Sequence, residues 1–150
     1  MPTLKRTTSD DPDFLLLVRL LDEDLAIRDG NEHAFYAQYN KSDSIKHIVV
    51  CYENEIAVAC GAFKQYDEGT VEIKRMFVLP EFRGKGIGLL VLNELEKWAR
   101  ENNFSESILE TGKKQEEAIR LYEKAGYTCI PNYGQYANAA NSVCMKKLLS

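Results

Sequence analysis

The chain has 150 residues, 45% hydrophobic and 28% charged, with a formal net charge of −4. That is the make-up of one soluble globular domain with a substantial core, and a net acidic chain argues against bulk nucleic-acid binding, which wants a concentrated basic face. No run approaches the roughly 20 apolar residues that span a bilayer, and the N-terminus shows no signal-peptide pattern, so the cytoplasm is the expected compartment and no membrane partner is expected.

Residues 3–8 fit a first edge strand. Asp11-Pro12 reads as an N-cap followed by proline at the first helical position. Phe14, Leu17, Val18, Leu21 and Leu25 then form one apolar stripe at helical spacing, with a stop at Gly30. A second short helix is expected over 32–39. Runs 45–52 and 55–64 are apolar and partly β-branched, and the tight Glu53-Asn54 connection makes them an antiparallel hairpin. A turn at Asp67-Glu68-Gly69 leads to a third strand, 71–79, closed by Pro80. After a glycine-rich turn, the helix over 87–102 turns Val91, Leu92, Leu95, Trp98 and Ala99 inward, with Asn93, Glu94, Lys97, Arg100 and Glu101 opposite. A strand over 106–110 and a helix over 115–125 follow, the helix carrying Ala118, Leu121, Tyr122 and Ala125 on one stripe and Gly126 as its cap. Strands 127–130 and 142–148 flank a loop rich in Asn, Tyr and Gly. The expected architecture is α/β: a mixed, mostly antiparallel central sheet flanked by helices on both sides, in one domain over 1–150.

Cys51, Cys60 and Cys144 sit in apolar runs and Cys129 in a short strand-like stretch, none in a Cys-x-x-Cys pair, so they read as reduced core cysteines. His33 and His47 are too few and too far from cysteine for a zinc site, and no metal is expected.

The turn Arg83-Gly84-Lys85-Gly86-Ile87-Gly88 joins a strand to a helix. It leaves several backbone N–H groups unpaired at the positive end of the helix, a receptor for phosphate. Glycine permits close approach, and Arg83 and Lys85 add charge. The Walker pattern fails because Gly84-Lys85 is followed by Gly86 rather than Ser or Thr. The dinucleotide fingerprint fails because its sixth position, counted from Gly84, is Leu89.

What the turn does fit is (Arg/Gln)-x-x-Gly-x-(Gly/Ala), met by Arg83, Gly86 and Gly88, and there the chain resembles the GNAT superfamily of N-acetyltransferases. The element order is similar to the GNAT fold over essentially the whole chain. Leu121-Tyr122-Glu123-Lys124-Ala125-Gly126-Tyr127 is similar to the family's Leu-Tyr-x-x-x-Gly-(Phe/Tyr) motif. The resemblance implies acetyl-coenzyme A as co-substrate, its pyrophosphate in the 83–88 loop, and an amine acceptor. It also implies that main-chain groups of Met76, Phe77 and Val78 bind the thioester carbonyl and the pantetheine arm. Tyr122 is then the general acid for the leaving thiolate; spacing alone favours a core tyrosine, and the co-occurrence with the glycine loop reverses that. Gln115 stands where many members have Asn, keeping the amide on a longer arm toward the cofactor.

Attack also needs an amine that has lost a proton. Glu72 is a carboxylate in an otherwise apolar strand, where desolvation strengthens a base. It lies eleven residues before Arg83, the family's spacing for that role. A structural ion pair with Lys74, Arg75 or another cation is the equal alternative, and strand alternation places Glu72 on the face of Lys74 and Met76 unless a bulge intervenes. By resemblance the acceptor lies between the first helices and the last loop, with Glu32, His33, Tyr36, Asn132, Tyr133 and Tyr136 as candidates and Asp22, Glu23 and Asp24 lending negative potential. The implied reaction is direct transfer in a ternary complex to a small-molecule or peptide amine. A coenzyme A-binding sensor without turnover is the alternative, and a homodimer is common among similar proteins.

Overall fold

The structure, a computed structural model, describes residues 1–32 and 45–149. Strands β1 (Thr3–Thr7), β2 (His47–Glu53), β3 (Ile56–Asp67) and β4 (Thr70–Val78) form an antiparallel meander. Strand β5 (Glu106–Gly112) joins β4 in parallel, and β7 (Ser142–Leu148) inserts between β5 and β6 (Thr128–Ile130). The order across the sheet is β1-β2-β3-β4-β5-β7-β6.

Period-two alternation assigns the two faces. Ile48, Val50, Cys60, Ala62 and Phe77 pack on helix α1 (Pro12–Asp29) through Phe14, Leu17, Leu21 and Leu25. Val49, Cys51, Ala59, Phe63 and Ile73 face the other way, onto α2 (Ile87–Glu101) through Val91, Leu92, Leu95 and Ala99. Helix α3 (Glu116–Lys124) adds Tyr122 to that second core. With both faces covered, the strands read as continuous apolar runs.

Local chemistry sets the boundaries. Asp11 Oδ1 accepts from the N–H of Asp13 (2.9 Å) and Phe14 (3.2 Å), capping α1 ahead of Pro12. Gly30, at φ +54°, ends that helix. Of the helix expected over 32–39, only Glu32 is described, in a 3-10 turn at Gly30–Glu32; 33–39 lie outside the described residues. The β2–β3 connection is Asn54-Glu55, not Glu53-Asn54. Glu53 pairs with Ile56, and the two residues between them take positive φ (52° and 68°), the twist a two-residue hairpin requires. Cys129 lies on the exposed face of β6, unlike the buried Cys51, Cys60 and Cys144. Glu96, in α2, is buried within the expected apolar face. Its carboxylate accepts from Tyr127 Oη (3.0 Å) and pairs with Lys147 Nζ (2.7 Å).

Two irregularities shape the site. Cys60 pairs with Phe77 and Ala62 with Lys74, so Arg75 and Met76 oppose the single residue Gly61 in a β-bulge, with Arg75 at φ +58°. The bulge overturns the alternation expected for Met76. Glu72, Lys74 and Arg75 stay toward α1, whereas Met76 turns to the α2 side and its Sδ fills the space above Gly61, beside Val91 and Leu95. Strands β4 and β5 pair only from Thr70–Glu106 to Glu72–Ile108. Beyond that point β4 stays with β3 and β5 with β7, and a wedge opens between them.

Candidate active site

At the mouth of the wedge, Gly84 (φ +79°) and Gly86 (φ +81°) hold the chain in the left-handed region, and Gly86 N-caps α2. A Cβ on either would meet nothing within 4 Å. Gly88 is glycine for a different reason: a Cβ there would come within 3.1 Å of Leu121, so its absence seats α2 against α3. The first helical hydrogen bond of α2 runs from Leu90 N to Gly86 O (3.1 Å). Among the described residues, no acceptor serves the N–H groups of Gly84 through Leu89. Six consecutive donors are thus available at a helix N-terminus.

Arg83 and Lys85 are oriented otherwise than expected. Arg83 Nε donates to the Val78 carbonyl (2.8 Å), and its guanidinium lies over the Phe77 ring (5.6 Å), 3.9 Å from the carboxylates of Asp24 and Glu117. It ties the loop to the end of β4. Lys85 is exposed, its Nζ 5.4 Å from the Phe82 ring centroid.

A cavity of about 470 Å³ runs from this loop into the wedge, bordered by Met76, Phe77, Val78, Arg83, Gly84, Gly86, Ile87, Gly88, Gln115 and Tyr122. That is the size of a pocket for an extended small molecule. Leu79 N donates to Val58 O (2.9 Å), so the ladder's alternation turns the Val78 N–H away from β3 and into the wedge. Tyr122 is 6% exposed, and its hydroxyl, with no partner among the described residues, keeps contact with the cavity. Burial, with Glu110 adding, pushes the phenol well above its ordinary value, so it stays protonated at neutral pH.

A second, smaller chamber of about 80 Å³ lies on the α1 side, lined by Glu72, Lys74, Arg75, Glu110, Thr111 and Tyr136, among others. Met76, Gln115 and Tyr122 border both cavities. Glu72 is 3% exposed; its Oε2 accepts from Tyr133 Oη (2.8 Å), and Lys64 Nζ stands 3.8 Å from Oε1. Burial, then the Glu72 carboxylate, raises the Tyr133 phenol far above its ordinary value, which keeps it a donor. The structure therefore brings Glu72 together with Tyr133, 61 residues away in sequence, and with its neighbour Tyr136.

Other candidates fall elsewhere. Asn132 holds its own loop through the carbonyls of Ala139 (3.0 Å) and Ser142 (3.2 Å). Glu32 accepts from Asn141 and borders a separate crevice with Arg28, Lys113 and Lys114. His33 and Tyr36 lie outside the described residues. Asp22 pairs with Arg75 (2.5 Å) and Asp24 with Arg28 (3.2 Å), which offsets the negative potential expected of them. The role of Arg75 in the chamber wall went unread in the sequence. The bulged residues include no glycine or proline, and the local signal is the isolated Gly61 opposite them in β3.

A strand–loop–helix turn whose N–H groups have no acceptor among the described residues thus opens into a split sheet, with a buried phenol where two cavities meet. Residues 15–127 match the acetyltransferase (GNAT) family, and the chain belongs to that family of acetyl-coenzyme A-dependent acyltransferases. The chain is 38% identical over 102 residues to an IAA acetyltransferase of Azospirillum brasilense, a match covering 67% of each. A Klebsiella pneumoniae protein described as an acyl-CoA N-acyltransferase superposes with a TM-score of 0.83 over 100% of this chain and 99% of that one, at 29% identity. The Salmonella typhimurium acetyltransferase yncA, whose structure holds acetyl-CoA, shares the fold at a TM-score of 0.70 and 18% identity, over 100% of this chain and 95% of that one. No helix among the described residues is long and apolar enough to cross a membrane.

Proposed function

We propose that the protein moves an acetyl group from acetyl-coenzyme A to a primary amine by direct transfer in a ternary complex. The observation that carries this reading is the junction of the two cavities at Tyr122, one leading to six N–H groups without an acceptor among the described residues and the other to a buried carboxylate. The pyrophosphate would sit on the amides of Gly84 to Leu89, and the pantetheine arm along Met76, Phe77 and Val78, with Gln115 beside it. Bound acetyl-coenzyme A supplies an activated thioester.

The protein's own groups have distinct duties. Val78 N–H and its neighbours on the open edge of β4 are fixed donors for an oxygen that gains negative charge. Tyr122 holds a proton for the departing sulfur. Glu72 takes a proton from the incoming ammonium while Tyr133 fixes its Oε2. Direct transfer is favoured over a cysteine acyl-enzyme because burial raises the thiols of Cys51 and Cys144 and pushes Cys60 up to about 12, while the exposed Cys129 borders neither cavity.

The test is free-thiol release from acetyl-coenzyme A over a panel of amine classes. Double-reciprocal plots that intersect support the ternary complex; parallel lines would show an acyl-enzyme. Tight cofactor binding with no release for any amine would make the protein a sensor instead.

A further inference from the structure

The chamber beside Glu72 carries both signs of charge. Two carboxylates, Glu72 and Glu110, share its wall with two cations, Lys74 and Arg75. Burial of a charge is costly unless it is compensated, and Arg75 is only 6% exposed. Strand alternation would have sent Arg75 into the apolar face beneath α2. The bulge, with Arg75 at a φ of +58°, instead sets it beside Lys74. Such strained positions cluster where a side chain is aimed for use. The protein does not saturate that guanidinium. Asp22 takes Nη2 at 2.5 Å, but Nε is a buried side-chain donor with no hydrogen-bond partner among the described residues. Burial is the main cause that lowers the Lys74 ammonium, with Glu72 opposing it.

A plain amine entering this chamber would answer Glu72 but leave the Arg75 Nε without an acceptor. A molecule that brings its own anion matches the wall at both ends, since a guanidinium fork suits a carboxylate. We infer that the acceptor is a small amino acid, a primary amine with a carboxylate a few bonds away, whose ammonium meets Glu72 and whose carboxylate meets Arg75 and Lys74. This rests on the acetyl-transfer reading above and adds the acceptor's class. In the reaction an N–C bond forms and the C–S bond breaks. The nitrogen gives up two protons: one reaches solvent by way of Glu72, and the other balances the proton that Tyr122 delivers to sulfur. The products are the N-acetyl amino acid and free coenzyme A.

The test uses the full chain, acetyl-coenzyme A and thiol release with matched acceptors: alanine, alaninamide and ethylamine, then phenylalanine, phenylalaninamide and phenethylamine. The amides have the more readily deprotonated amines, so chemistry alone favours them. In at least one series, kcat/KM is expected to be ten-fold or more higher for the amino acid than for its amide or amine. Arg75→Gln should bring that ratio close to one, mainly through the amino acid's KM, with the acetyl-coenzyme A dissociation constant within two-fold of wild type. Lys74→Met serves as the second variant should Arg75→Gln fold poorly, and the wild-type panel needs no variant. Equal or faster acetylation of the amides and amines overturns the inference and leaves the transfer reading standing. Acetylation of nothing, with cofactor bound, overturns both.

Discussion

Tyr122→Phe separates chemistry from architecture more cleanly than any other change. The Tyr122 hydroxyl makes no hydrogen bond among the described residues, so its loss strands no partner. The ring keeps its edge contact with Tyr127 (centroids 5.9 Å apart, 62° between planes). Stability should therefore move by no more than about 0.5 kcal/mol, or roughly 2 °C in Tm for a chain of this size. Catalysis should respond very differently. A positioned general acid contributes about 10²- to 10⁴-fold, so kcat should fall by about a hundred-fold, or about 2.7 kcal/mol of barrier at about 1.36 kcal/mol per factor of ten. The 83–88 turn is untouched, so acetyl-coenzyme A should bind as before. Thermal denaturation, calorimetric titration with acetyl-coenzyme A and initial rates of thiol release read the three quantities. Turnover within about two-fold of wild type, from a folded variant, would remove Tyr122 as the acid. A large drop in Tm would show that the hydroxyl has a structural partner after all.

Gly61→Ala places a Cβ against Met76 Sδ and within 2.9 Å of Leu95 and Val91. Overpacking of this kind costs about 1–3 kcal/mol, seen as a lower urea midpoint at unchanged slope. Lys147→Met leaves the Glu96 carboxylate buried with only its hydroxyl partner, a loss of about 2–3 kcal/mol once the partial exposure of Lys147 is allowed for. Adding Glu96→Leu should recover most of that in the same urea titration. Burial, with Lys46 adding, holds His47 below its ordinary 6.5 between Phe63 and Trp98. On acidification the unfolded chain takes the proton first, so this contribution, full above about 6.5, is lost as pH falls through the depressed native value. His47→Gln should flatten Tm against pH in that window, and an unchanged slope would assign the dependence to other groups.

The features legible in the sequence are those written in neighbouring residues. The stripe of α1 and its Asp11-Pro12 cap, the meander's period of two and the glycine turn each lie within a single window of the chain. The unread features depend on partners far away. The bulge at Arg75 arises from how β3 and β4 register, and only the isolated Gly61 in the facing strand hints at it. Glu96 looks like an ordinary helix charge until Lys147, 51 residues on, folds over it. Tyr133 reaches Glu72 across 61 residues, and the insertion of β7 between β5 and β6 that carries the Tyr133 loop there leaves no local pattern.

The same distinction separates the two halves of the site. A carrier held by main-chain N–H groups asks only that the backbone adopt one shape, and glycines at Gly84 and Gly86 record that demand in the sequence. Side-chain identity matters little there, as the outward course of Lys85 shows. The chamber proposed for the acceptor is the reverse: its chemistry belongs to side chains, Glu72, Lys74 and Arg75 on β4 and Tyr133 on a loop that only the fold brings to them. Substitutions at Lys74, Arg75 and Tyr133 should therefore change which amine is accepted without weakening acetyl-coenzyme A binding, and substitutions at Gly86 should do the opposite. Steady-state constants for both substrates across the two sets of variants measure that independence. Coupled losses in both constants, from either set, would mean that carrier and acceptor share one binding surface.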